Sequence, residues 1–120
     1  YTEMQWRILQ QKKPDDFVVA TGQAFSVRQF VEIASNYLNL KIFWQGHGLN
    51  EVGYLKKGSK KEIIIKIDKN YFRPNEVQYL RGDARKAFRV LKFKPKYSFK
   101  DLVKDMIEND LIEAKKKFEI

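Results

Sequence analysis

Residues 26–38 read SVRQFVEIASNYL and form the clearest predicted helix in the sequence. Ser26 and Gln29 make a capping box, in which each side chain satisfies a backbone amide that the first turn leaves unpaired. Apolar side chains then recur at helical spacing; they are Val27, Phe30, Val31, Ala34, Tyr37 and Leu38. The segment therefore predicts a helix that begins after Ser26 and buries one of its sides.

Three extended segments are predicted on either side of this helix. Residues 41–44 follow it, and residues 61–68 contain four isoleucines, whose β-branching favours a strand. Residues 17–20 precede it as a short continuous apolar run, which is typical of a buried strand. Residues 45–58 are rich in glycine, and we predict a loop there.

The other segments are predicted to be helical. Residues 1–11 carry a broad apolar stripe and end before Pro14. Asp83 is placed to cap a short helix over residues 84–91, and Ser98 or its neighbour to cap the last helix. The apolar stripe of that last helix consists of Phe99, Leu102, Val103, Met106, Ile107, Leu111 and Ala114. The predicted order is helix, strand, helix, strand, strand, helix and helix, which defines a small mixed α/β fold.

The composition excludes several classes of protein. The 120 residues contain no cysteine, which rules out a disulfide scaffold, a zinc finger and a thiol nucleophile, and is compatible with a reducing cytoplasm. The longest aliphatic run is residues 63–65, so we expect no membrane span. The sequence does not open with methionine, and we expect it to be part of a longer protein.

The basic charge of the chain raises an alternative function. There are 24 lysines and arginines against 15 acidic residues, so the net charge is +9, which is typical of nucleic-acid binding. No known nucleic-acid-binding signature accompanies the charge, and lysine is the dominant cation. Solvation of a small surface explains the charge more simply. A non-catalytic module that binds nucleotides or nucleic acid is the alternative reading.

Two segments partly match known functional motifs, one for dinucleotide binding and one for catalysis. Gly46-His47-Gly48 begins like a dinucleotide-binding fingerprint, but it lacks the third glycine and a helix after it. Tyr37 and Lys41 have the spacing that places a lysine one turn after a catalytic tyrosine. However, Tyr37 belongs to an apolar stripe and Lys41 falls beyond the predicted helix. One histidine without a nearby carboxylate pair is a weak ligand, so we predict no metal site and no catalytic residue here.

Several motifs together carry a family resemblance. The most informative is YFRPNEV, residues 71–77. LKFKP follows at residues 91–95, while SVRQFV at residues 26–31 and NEVG at residues 50–53 precede it. In this order and spacing they resemble the C-terminal third of the GDP-mannose 4,6-dehydratase family, which is a branch of the extended short-chain dehydrogenase/reductase superfamily. The resemblance covers residues 1–114.

The resemblance implies both an activity and a domain organisation. Family members convert GDP-mannose to GDP-4-keto-6-deoxymannose with loss of water, on the route to GDP-fucose and other deoxyhexoses. Their N-terminal Rossmann domain carries the catalytic residues and binds NADP, which takes a hydride from the sugar C4 and returns it at C6. Residues 1–120 would then be the C-terminal nucleotide-sugar-binding domain, with the Rossmann domain absent. We expect the whole enzyme to be a cytoplasmic lyase and a homodimer or homotetramer, and the isolated chain to be inactive.

The resemblance and the chemistry of a GDP-sugar together indicate three binding residues. A diphosphate is matched by a guanidinium fork, so Arg73, held by the restrained backbone of Pro74, is expected to bind it. A surface salt bridge is the competing explanation for Arg73. Glu76 is close enough in sequence to share the site and accept hydrogen bonds from the ribose diol. Arg28 lies in the first turn after the Ser26 cap, where it is placed to extend an anion site. We expect neither nucleic acid nor membrane as a partner.

Overall fold

The computed structural model describes residues 1–73, 75, 77 and 79–118 of the chain. Over these residues the helices are α1 (Thr2–Leu9), α2 (Val27–Tyr37), α3 (Arg85–Val90) and α4 (Phe99–Phe118), and the strands are β1 (Phe43–Gln45), β2 (Val52–Lys57) and β3 (Lys60–Lys66). The predicted small mixed α/β fold is therefore confirmed. The chain divides into two compact units: unit 1 comprises residues 1–25 and 77–98, and unit 2 comprises residues 26–76 and 99–120.

Unit 2 contains the three-stranded sheet, in the order β1-β2-β3 with both pairs antiparallel. The prediction of a loop over residues 45–58 is wrong for its second half, which forms the central strand β2. Glycine is unusual inside a strand, but Gly53 has a structural reason to be there, because it stands opposite Trp44 of β1. A Cβ atom at Gly53 would lie 3.1 Å from Cζ3 of Trp44, so the glycine makes room for the indole ring.

Helix α2 has defined signals at both ends. The predicted capping box is confirmed: the Gln29 amide donates to Ser26 Oγ at 3.1 Å, and the Ser26 amide donates to Gln29 Oε1 at 2.8 Å. At the other end Asn39 takes a left-handed conformation with φ 56°. The Leu40 amide donates to the Ser35 carbonyl at 2.8 Å, which completes a Schellman-type C-terminus. This geometry stops the helix before β1.

Helices α2 and α4 pack against each other inside unit 2. The ring of Phe30 meets the ring of Phe99 edge-on, with centroids 6.1 Å apart. Val103 and Ile107 of α4 are buried, whereas Leu102, Met106 and Leu111 are exposed, so the predicted apolar stripe of the last helix is buried only in part. The packing holds α2 in place, and with it the residues of its first turn.

Unit 1 is built from α1, α3 and the extended segments beside them. Met4, Ala87 and Leu91 form its buried centre. The predicted strand over residues 17–20 is wrong: among the described residues no ladder of backbone hydrogen bonds pairs these positions with another segment. A strand needs such a partner for its amides and carbonyls. Here the backbone of Gly82 lies against the Ala20 side chain, since a Cβ added at Gly82 would be 2.6 Å from the Cβ of Ala20.

Candidate functional site

The three binding residues predicted from the sequence fall in different situations. Arg28 lies in α2 and Arg73 follows the short 3-10 turn Lys69–Tyr71, and both belong to unit 2. Glu76 lies outside the described residues. Arg28 and Arg73 are thus two cations of the same unit, and both side chains can only donate hydrogen bonds.

Arg28 is held by two neighbouring side chains. Its Nη2 donates to Oε1 of Glu51, the residue that follows the 3-10 turn Gly48–Asn50. Its guanidinium carbon lies 4.4 Å from the centre of the Trp44 ring, a cation–π geometry. The Arg28 side chain is 41% exposed and that of Glu51 is 22% exposed. The guanidinium is thus oriented by a carboxylate and a ring but is still in reach of a ligand.

Trp44 is fixed in turn by the same helix that carries Arg28. Its Nε1 donates to Oε1 of Glu32 at 3.1 Å. Arg28 and Glu32 are four residues apart on α2, so both side chains project from one helix face towards the β1 ring. We refer to Arg28, Glu32, Trp44 and Glu51 as the Arg28 cluster.

No pattern in the sequence identified Glu32, Trp44 or Glu51 as part of a site. One available signal was the four-residue spacing between Arg28 and Glu32, which predicts a shared helix face. The other was Glu51 within the NEVG motif, which the resemblance singled out without giving it a role. The contact between β1 and α2 is tertiary, and no local pattern in the sequence encodes it.

Arg73 is exposed and follows a turn that is stabilised locally. The Asp68 carboxylate caps this turn, because its Oδ1 accepts a hydrogen bond from the Asn70 amide at 2.9 Å. None of the described carboxylates lies within ion-pair distance of Arg73. The competing explanation, that Arg73 is one half of a surface salt bridge, therefore finds no carboxylate partner for Arg73 in the described part of the chain.

Tyr37 and Lys41 each contact a different side chain in unit 2. The Tyr37 hydroxyl donates to Glu108 of α4, and this hydrogen bond raises the pKa of Tyr37. A catalytic Tyr–Lys pair requires the opposite shift. Lys41 lies beyond the end of α2, as predicted, and its Nζ is 5.4 Å from the centre of the Phe43 ring.

The glycine-rich loop does not fit a dinucleotide. Gly46, His47 and Gly48 lead into a three-residue 3-10 turn and then into β2, whereas a dinucleotide cradle needs a helix N-terminus at that point. This loop therefore lacks the geometry of a dinucleotide-binding fingerprint. Across residues 1–73, 75, 77 and 79–118 no three histidine or acidic side chains are grouped to hold a metal ion.

Part of the positive charge lies over aromatic rings of the sheet. Lys56 Nζ is 4.2 Å from the Phe43 ring centre, and Lys61 Nζ is 4.8 Å from that of Tyr54. Tyr54 is only 8% exposed, so the aliphatic stems of these lysines serve to cover the sheet. No helix in the described part of the chain has the length and apolar character needed to cross a membrane.

Comparison with known proteins places the chain among sugar-nucleotide dehydratases. The family described as GDP-mannose 4,6 dehydratase matches residues 1–106. The chain therefore belongs to the GDP-mannose 4,6-dehydratase family, as the motifs predicted.

Individual relatives agree with this assignment. The chain is 44% identical to a GDP-mannose 4,6 dehydratase of Dictyostelium discoideum over 111 residues, which cover 92% of this chain and 31% of that protein. It is 41% identical to the Homo sapiens protein over 111 residues (92% and 29%) and 38% identical to that of Vibrio cholerae over 119 residues (92% and 32%). The chain thus spans less than a third of the length of these relatives.

Proposed function

We propose that this chain is the nucleotide-sugar-binding part of an enzyme that converts GDP-mannose to GDP-4-keto-6-deoxymannose. The observation that carries the proposal is the family match over residues 1–106, which includes both Arg28 and Arg73. We assign residues 1–120 to the C-terminal domain of an extended short-chain dehydrogenase/reductase. The whole enzyme is then a cytoplasmic lyase on a route to GDP-fucose or a related deoxyhexose, and a homodimer or homotetramer.

In this proposal the cations of unit 2 hold the nucleotide. Arg73 binds the diphosphate, since its guanidinium is exposed and none of the described carboxylates neutralises it. Arg28 contributes a second, oriented set of N–H donors. Glu76 accepts hydrogen bonds from the ribose diol; it lies outside the described residues, and its role rests on the sequence alone.

The chemistry of the sugar ring is assigned to residues outside this chain. The glycine-rich loop does not fit NADP, so we place the cofactor and the acid–base residues in the remaining two thirds of the protein. The isolated chain is therefore expected to be inactive.

The test is turnover of GDP-mannose by the full-length protein from which this chain comes. Purified protein supplied with NADP and GDP-mannose is expected to give a product that has lost one molecule of water, as seen by mass spectrometry. Residues 1–120 alone serve as the control and are expected to give none. A folded full-length protein that leaves GDP-mannose unchanged would remove the proposed function, and turnover by residues 1–120 alone would remove the division of roles.

A further inference from the structure

The Arg28 cluster is more elaborate than a surface ion pair requires. A surface arginine gains little from one carboxylate, because its flexible side chain must be ordered to make the contact. Here Arg28 contacts both the Glu51 carboxylate and the Trp44 ring, and the ring is itself anchored by Glu32. The guanidinium is therefore confined to one position before any ligand arrives.

The sheet also prevents the Trp44 ring from moving away. The ring lies over Gly53 in the neighbouring strand, at the distance where a Cβ atom would already crowd it. Its indole nitrogen is tied to α2 at 3.1 Å. The ring is thus fixed by the sheet and by α2, and the guanidinium is fixed by the ring and by Glu51 before β2.

The contacts within the cluster leave hydrogen-bonding capacity on Arg28. A guanidinium has five N–H donors, and a carboxylate engages at most two of them. The Trp44 ring offers Arg28 no hydrogen-bond acceptor, and the two side chains meet in a cation–π contact with the guanidinium carbon 4.4 Å from the ring centre. Because Glu51 offsets the charge of Arg28, the remaining donors of Arg28 contribute oriented hydrogen bonds more than net charge. Arg73, in contrast, has no carboxylate partner among the described residues.

We propose that Trp44, Glu51 and Glu32 are positioning residues that hold Arg28 ready for the diphosphate of the nucleotide sugar. The inference rests on the proposed function and deepens it. A pre-ordered donor binds more tightly because the cost of ordering its side chain is met on folding and not on binding. Trp44 and Glu51 thereby act on the ligand through Arg28 without touching it.

A double-mutant cycle on the full-length enzyme tests this mechanism. Trp44→Leu removes the ring contact and is expected to raise the Kd and the KM for GDP-mannose roughly three- to thirtyfold, with kcat unchanged. Trp44→Phe keeps an aromatic face and is expected to recover most of the affinity. In an Arg28→Ala background, Trp44→Leu is expected to cause no further loss, because the residue through which it acts is gone.

Two further variants keep the result interpretable. Trp6→Leu is the matched control, since Trp6 is 62% exposed in unit 1 and lies outside the cluster; it is expected to leave Kd unchanged. If Trp44→Leu does not fold, the isosteric Glu51→Gln enters the same cycle with the same expected non-additivity.

The outcomes separate this inference from the proposed function. The positioning role would be overturned if the losses of GDP-mannose affinity from Trp44→Leu and Arg28→Ala added up in the double variant. It would also be overturned if the Trp44→Leu enzyme had wild-type affinity. In both cases turnover of GDP-mannose would persist, so the proposed function would stand. Absence of turnover in the wild type would remove the proposed function, and the positioning role with it.

Discussion

Arg7 of α1 donates a hydrogen bond from Nη1 to the backbone oxygen of Leu91 at 2.6 Å, where α3 ends. The same nitrogen reaches the Lys92 oxygen at 2.9 Å, and Lys92 has a left-handed φ of 52°. The last carbonyls of a helix have no partner within the helix. A side chain that is distant in sequence therefore completes the end of α3, next to the buried Met4, Ala87 and Leu91.

Replacement of Arg7 should accordingly destabilise unit 1. Arg7→Met keeps the aliphatic stem but removes the hydrogen bonds to Leu91 and Lys92, together with the ion pair to Glu3. It is expected to cost about 1.5–3 kcal/mol, the range for hydrogen bonds from charged groups. The measurement is the unfolding free energy from denaturant titration. Arg89→Met, at an exposed position on α3, is the control and should change stability by less than about 0.5 kcal/mol. Equal effects of the two variants would contradict the capping role of Arg7.

The proposed diphosphate contact makes Arg73 the main determinant of nucleotide affinity. Arg73→Ala in the full-length protein removes a charge-assisted contact worth roughly 1.5–3 kcal/mol, so affinity for GDP should fall about 10- to 150-fold. Arg73→Lys should recover only part of it, because an ammonium keeps the charge but not the fork. Isothermal titration with GDP provides the measurement.

Arg85→Ala is the control for that series. The Arg85 side chain is 89% exposed and pairs with Asp83 two residues away, so it faces solvent. It should leave GDP affinity unchanged. Wild-type affinity in a folded Arg73→Ala protein would take Arg73 out of the site.

Local signals in the sequence predicted the ends of several elements. The capping box at Ser26 is encoded within four residues, and the structure has it. Asp83 was expected to be the N-cap of a short helix, but the N-cap of α3 is Ala84, and Asp83 accepts a hydrogen bond from the Arg85 amide at 3.0 Å from one residue further upstream. Such contacts depend on neighbours in the chain, so the pattern of residues is sufficient to predict them.

Tertiary contacts could not be predicted in the same way. Residues 17–20 have the composition of a strand, but composition does not provide the hydrogen-bonding partner that a strand needs. Gly53 was predicted to belong to a loop, and its place in β2 is explained only by the tertiary packing of Trp44 over it. The Arg28 cluster was missed for the same reason, because Arg28 and Trp44 meet only once β1 lies against α2.

The Asp83–Arg85 pair predicts a specific pH dependence. Hydrogen bonds from the Arg85 side chain and from its amide lower the pKa of Asp83 from 3.8 to about 2. A carboxyl whose pKa is depressed by folding stabilises the folded state above its unfolded pKa, and loses that contribution as the pH falls through the folded pKa. The contribution of Asp83 should therefore be complete above pH 3.8 and disappear towards pH 2. It should also be small, because the pair is exposed.

Carboxyl NMR titration gives this pKa directly. Arg85→Gln removes the side-chain hydrogen bonds but keeps the amide, so the pKa of Asp83 should rise only part of the way back to 3.8. Arg81→Gln removes only a weaker through-space effect and should raise it less. Identical titration curves for wild type and Arg85→Gln would show that the pair does not form in solution.

Gly46 and Gly58 offer a matched comparison of two glycines with positive φ, at +87° and +62°. Alanine at Gly58 meets no atom within 4 Å in the described part of the chain, so Gly58→Ala should cost only the backbone strain, about 1–2 kcal/mol. A Cβ at Gly46 would lie 2.3 Å from the Asn50 carbonyl oxygen, so Gly46→Ala must also displace the Gly48–Asn50 turn. That turn leads directly into Glu51.

Gly46→Ala should therefore lower the thermal midpoint more than Gly58→Ala and also weaken GDP-mannose binding, whereas Gly58→Ala should leave binding intact. Calorimetry of both variants with and without GDP-mannose measures the thermal midpoint and the binding. Equal results for the two variants would show that the Gly48–Asn50 turn does not influence the Arg28 cluster.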